Sequence, residues 1–226
     1  MSKRIESQFR QIKRSKEKVR FNLGTLSLLA FCTFLIIIAT FSQLSFFHYY
    51  VPMDAIFHPV RFFSDSANHF ISTKYYQYIP QIPVIFFVST LLGSLFASIA
   101  VSIYVVLGLA YFPIFALGGG IGYVTQYNFG YILAYLPAVI IICKTLRKNY
   151  SYKSIAKATL LGVLTIHIIG ILYSIVVALI KREPYEFILE WIVAQSTAKI
   201  IYDYIFSFIA ILLARITRKI LWIVMG

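Results

Sequence analysis

From Leu23 to Leu44 the chain runs for 22 residues without a charged side chain, and largely apolar runs return from Ile82 to Phe115, Gly130 to Cys143, Ala158 to Ile180 and Phe187 to Ala214. At about 1.5 Å per helical residue the first run is long enough to cross a hydrocarbon core of roughly 30 Å. In lipid every backbone polar group must be satisfied internally, so runs of this length become helices. Ile82 to Phe115 is 34 residues, too long for one crossing and right for two joined tightly, with the joint expected near Gly93-Ser94. The fold class that follows is an all-α polytopic membrane protein of six transmembrane helices. A hydrophobic content of 60% and a mean hydropathy of +0.80 fit no soluble class.

The basic residues set the orientation. Eight of the 21 Lys and Arg precede residue 21, five lie between Lys144 and Lys157, and three between Arg215 and Lys219. These 16 share one side of a six-span plan, against Arg61, Lys74, Lys181 and Arg182 on the other and Lys199 inside a span. Positive loops stay inside, so both termini are expected in the cytoplasm. A net charge of +13 distributed in this way reads as topology, not as a nucleic-acid surface. Two regions follow: residues 1–22, a basic cytoplasmic lead-in, and residues 23–220, a single membrane domain. Ile5, Phe9, Ile12 and Val19 give the lead-in either an amphipathic stripe for membrane lipid or a solvated arm that fixes topology. The first apolar run is too long for a cleaved signal.

Residues 45–78 turn mixed and aromatic and read as an interfacial loop. Its His48, His58 and His69 do not fall at metal-ligand spacing. Cys32 and Cys143 sit in apolar stretches, where no disulfide is expected. No nucleophile elbow, H-E-x-x-H or phosphate-binding loop is present, which points to no enzyme, no metal and no cofactor. If transport is active, its energy comes from another subunit.

The stretch "YVVLGLAYFPIFALGGGIGYVTQYNFGY", Tyr104 to Tyr131, spends apolar length on a segment that cannot span. Non-helical backbone near membrane depth is tolerated where it lines a cavity, so Gly118, Gly119 and Gly120 either approach a ligand or form an ordinary outer connector. Intramembrane polar groups are expensive and usually face a cavity. Here they are His167 in the fifth span and Gln195, Lys199 and Asp203 at four-residue steps in the sixth, with Gln81 opening the second. Lys199 and Asp203 form either a structural pair or, through Lys199, a ligand anchor.

These residues resemble the BioY family, the biotin-binding S subunits of energy-coupling-factor transporters. Tyr104, Gly108, Pro113, Phe115 and Ala116 keep a Y-x3-G-x4-P-x-F-A spacing and lead into the glycine cluster and Gly130-Tyr131. Gly93 falls on the glycine of the inner turn and Gln81 on the Gln opening span two. Ser94-Leu95 stands where the family has Pro-Arg, and Ser196 where the sixth span often carries Asp, with Lys199 in place. Gly24, Ser27, Ala30 and Thr33 replace the family's Ala-x-x-x-Ala docking face with a small-residue ridge. The resemblance implies a bacterial plasma-membrane subunit that captures biotin from outside and works with a transmembrane coupling subunit and two ATPases. Biotin needs ureido partners, aromatic walls and one cation. Gln81, Phe115, the 118–120 backbone, Tyr123, Asn128, Tyr131, His167 and Lys199 supply those types. The same fold with another vitamin-like ligand, a solitary carrier, and a membrane assembly protein are the competing expectations.

Overall fold

The structure, a computed structural model, describes residues 22–50, 60, 64, 72–147 and 150–225. The basic lead-in and, within the 45–78 segment, Asp54, His58, Arg61, Asp65 and His69 lie outside them.

Helix α1 spans Leu23–Phe41 and opens on a reciprocal cap: Thr25 N donates to Asn22 Oδ1 at 2.8 Å, and Asn22 N donates to Thr25 Oγ1 at 3.0 Å. It buries Leu29, Cys32, Thr33, Ile36, Ala39 and Thr40. Gly24, Ser27 and Ala30 of the small-residue ridge remain exposed.

The chain then forms an antiparallel ribbon, β1 (Leu44–Tyr50) against β2 (Ser72–Tyr78), with Leu44 opposite Tyr78 and Tyr50 opposite Ser72. This corrects the expectation of an all-helical chain with a plain loop here. Both strands are seven-residue runs rich in aromatics, a composition that suits a pleated surface better than a turn. The ribbon is anchored by rings: Phe46 stacks on Tyr202 and Phe206 at 5.8 and 5.7 Å, and Tyr78 meets Phe206 at 5.2 Å.

The segment Gln81–Leu109, α2, consists of two helical arms that meet at the non-helical Gly93. A straight helix would separate Gln81 from Tyr104 by about 34 Å. Instead Gln81 Nε2 donates to Tyr104 OH at 2.7 Å. The chain reverses at Gly93, whose φ of 77° and ψ of 175° lie in a region that only glycine occupies without strain. The joint expected near Gly93-Ser94 is where the chain turns.

After α2, a hairpin-like bridge between Phe115 and Gly118 and a 3-10 turn at Ile121–Thr125 lead into α3 (Phe129–Leu133) and α4 (Tyr135–Leu146). Helix α5 covers Tyr152–Lys181 and α6 covers Tyr185–Met225. Among the described residues, five helices are long and apolar enough to cross a membrane, counting α2 once and α3 with α4 as one. α2 packs against α1, α4 and α6, and α5 against α3, α4 and α6. Burying one aliphatic chain against another gains little when the alternative is lipid, so close approach carries the packing. A β-carbon on Gly162 would fall 2.5 Å from Phe86 Cζ, and one on Gly170 would fall 2.5 Å from Tyr131 Cδ1.

Candidate substrate-binding site

A cavity of about 260 Å3 opens between the start of α2, the 116–128 segment, α3, α4 and α6. Gln81, Tyr123, Asn128, Tyr131, Tyr135, Trp191, Gln195 and Lys199 supply its polar and aromatic lining, with Ile79, Ile82, Ala116, Leu117 and Ile132 filling the apolar part. It lies at the small end of ligand pockets, which run from roughly 300 to 1,000 Å3.

Helical geometry explains the assembly. Asn128, Tyr131, Ile132 and Tyr135 recur at three- and four-residue steps and so share a face of α3 and α4. Trp191, Gln195 and Lys199 do the same on α6. The reversal at Gly93 folds the start of α2 onto its own second arm. Gln81 is thereby spent internally: Nε2 donates to Thr40 Oγ1 at 3.0 Å and to Tyr104 OH at 2.7 Å, while Tyr135 OH donates to Oε1 at 2.9 Å. One lone pair of Oε1 is left for a ligand.

Three other groups are uncommitted. Asn128 Nδ2 donates to Tyr123 OH at 2.9 Å, but its Oδ1 is buried without a partner. Trp191 Nε1 is likewise a buried donor without an acceptor. Lys199 has no carboxylate within ion-pair distance among the described residues, and its Nζ stands 5.9 Å from the Tyr131 ring centroid. A buried orphan costs about 1 to 3 kcal/mol, so a partnerless acceptor, a partnerless donor and a cation on residues that line one cavity favour a ligand with the complementary set. Burial, the largest cause, holds the Tyr123 phenol above its ordinary pKa and keeps it protonated.

Behind the wall lies a second polar layer. Tyr131 OH is 2.9 Å from Ser196 Oγ, which is 3.0 Å from His167 Nδ1. His167 Nε2 is 3.0 Å from Asp203 Oδ2, and Tyr78 OH donates to Asp203 Oδ1 at 2.6 Å. With Nε2–H donating to Asp203 and Nδ1 accepting from Ser196, every group in this chain of contacts has a partner. The ion pair weighed between Lys199 and Asp203 is therefore corrected: Asp203 pairs with His167. Four helical residues advance about 400°, so Asp203 is rotated by roughly 40° from Lys199, toward α5, while Lys199 keeps to the cavity.

The other expected site residues sort by layer. Gln81, Tyr123, Asn128, Tyr131 and Lys199 come together on the cavity, and His167 stands one residue removed from it. Phe115 and Gly118, Gly119 and Gly120 are not in the lining. Phe115 is fully buried between Tyr104 and Tyr123, with ring centroids 5.3 and 4.6 Å away. The glycines seat the segment on the end of α2: Gly120 N donates to Gly108 O at 2.7 Å, and a β-carbon at Gly119 would fall 2.1 Å from Phe112 O. Tyr135 and Trp191 were missed, although extending the four-residue stripe of Lys199 and Gln195 by one turn reaches Trp191.

The profile of the BioY family matches residues 75–222, 148 of the 226. The chain belongs to the BioY family. It is a multi-pass membrane protein, a transporter component and not an enzyme. A solved structure described as the S-component for biotin from an ECF-type ABC transporter superposes with a TM-score of 0.61 at 22% identity, covering 87% of this chain and 92% of that one. At that identity the likeness speaks for the fold. No curated protein sequence matches significantly.

Proposed function

We propose that this BioY-family chain is a substrate-capture subunit for biotin, with six spans, cytoplasmic termini and the 116–128 segment on the outer side. The observation that carries this reading is the set of open groups around the cavity. Biotin brings ureido N–H donors, a ureido carbonyl, an apolar fused ring and a carboxylate tail. Asn128 Oδ1 accepts a ureido N–H, Trp191 Nε1 donates to an oxygen, the tyrosines flank the ring, and Lys199 anchors the carboxylate through a charge-assisted contact. The solved S-component of similar fold is described as one for biotin, which agrees with this chemistry. A transmembrane coupling subunit and two ATPases are the partners the family implies, and they supply the energy this chain has no motif to extract.

Equilibrium dialysis of tritiated biotin against the purified full chain tests the reading. Saturable one-to-one binding, displaced by unlabelled biotin and not by riboflavin or thiamine, is the expected result. Absence of saturable binding, or displacement by those vitamins at equal concentration, would contradict it.

A further inference from the structure

A second and larger cavity, about 590 Å3, lies at the opposite end of the bundle and takes no part in the site above. Its floor is the turn at Gly93 and Ser94. Its rim carries Lys144 from the last turn of α4, Arg147 just beyond it, and Arg218 from α6. Three cations from two separate elements therefore converge on one space. No carboxylate lines it, and none of the three has an ion-pair partner among the described residues. Arg215, one turn from Arg218, is committed elsewhere: its Nη1 donates to Tyr150 O at 3.1 Å and holds that residue in the cavity wall. Like charges gathered without a counter-charge repel one another, so the arrangement is favourable when an anion sits among them.

The remaining lining decides which kind of anion. Ile140, 52% exposed on α4, adds an exposed apolar side chain to the same lining as the cationic rim. A free anion gains nothing from that side chain. A molecule with an anionic head and a hydrocarbon tail uses both parts, and basic pockets between membrane helices have the character that anionic headgroups select.

We propose that this cavity is a headgroup site for an anionic phospholipid, with Arg147, Arg218 and Lys144 holding the phosphate and the Ile140 face receiving the start of an acyl chain. Occupancy ties α4 to α6 across the inner turn of α2.

The test is native mass spectrometry of the full chain released from micelles containing short-chain phosphatidylglycerol or phosphatidylcholine at equal concentration, with inorganic phosphate as a third arm. One phosphatidylglycerol is expected to be retained in clear preference to phosphatidylcholine. Arg147→Gln with Arg218→Gln should weaken retention by about twenty-five-fold, at about five-fold per charge removed. Lys153→Gln with Lys157→Gln, which removes the same charge from exposed positions nearby, should leave retention unchanged. Arg147→Lys with Arg218→Lys should keep most of it, which separates loss of charge from loss of fold. Equal retention of the two lipids, indifference to the Arg147 and Arg218 changes, or inorganic phosphate competing as well as the lipid would each overturn the proposal.

Discussion

At the scale of single residues, the molecule separates groups that hold the fold from groups left open for a ligand. Asn128 shows the second kind. Its Oδ1 is buried without a hydrogen-bond partner, so Asn128→Leu removes a buried unsatisfied acceptor along with the bond to Tyr123. Thermal unfolding should place the ligand-free variant within about 1 kcal/mol of the parent, while biotin binding falls at least about ten-fold. A large loss of stability with binding intact would reverse the assignment. His167 shows the first kind. Its replacement by Phe leaves the buried Asp203 carboxylate with the Tyr78 hydroxyl but without its imidazole donor, and is expected to cost about 1.5 to 3 kcal/mol, read as a lowered melting temperature. Adding Asp203→Leu should recover much of that loss, because the under-satisfied carboxylate and not the missing imidazole is the penalty. No recovery would show that the histidine acts through packing alone.

At the scale of elements, the glycine-rich segment is a wall and not a cradle. Its backbone is tied by Gly120 N to Gly108 O, by Ser174 Oγ to Tyr127 O at 2.7 Å, and by Tyr173 OH to Val124 O. At the far end Tyr127 OH donates to Glu183 Oε1 at 2.8 Å, and burial first, with the neighbouring carboxylate second, pushes that phenol up to about 12. The segment positions Ala116, Leu117 and Tyr123 by packing onto α2 and α5. Gly119→Ala is thus expected to lower the melting temperature and biotin affinity together, since its β-carbon meets the Phe112 carbonyl. Binding lost with stability unchanged would return the glycines to the ligand. The sequence left both readings of this segment open: a run of glycines signals close approach but not to what, and at Gly119 the neighbour is another backbone. The hydrophobic runs were legible because lipid enforces helices on them, and Gly93 because a reversal needs a residue free of a β-carbon. The β1–β2 ribbon was missed because alternation is invisible when both faces of a strand are aromatic.

At the scale of the whole molecule, the arms of α2 and the four other membrane helices make six crossings if each arm traverses. Single cysteines at Thr125 and Ser151, in a background lacking Cys32 and Cys143, should then react with an impermeant maleimide from opposite sides of the membrane. Labelling from one side would remove the six-span plan and with it the outward cavity. The location of the cavity was only partly legible: Gln81, Asn128, Tyr131 and Lys199 could be named from chemistry, whereas Tyr135 and Trp191 depend on which helix faces meet. Lys199, free of Asp203, is the proposed anchor of the biotin carboxylate. The most direct measurement is the dissociation constant of biotin and of biotin amide for the parent and for Lys199→Met, with melting temperatures alongside. The expected result is an unchanged melting temperature, biotin weakened by about ten- to hundred-fold, and the amide affected little, since a hydrogen bond to a charged group contributes about 1.5 to 3 kcal/mol. Equal losses for biotin and its amide, or a collapse in stability, would contradict it.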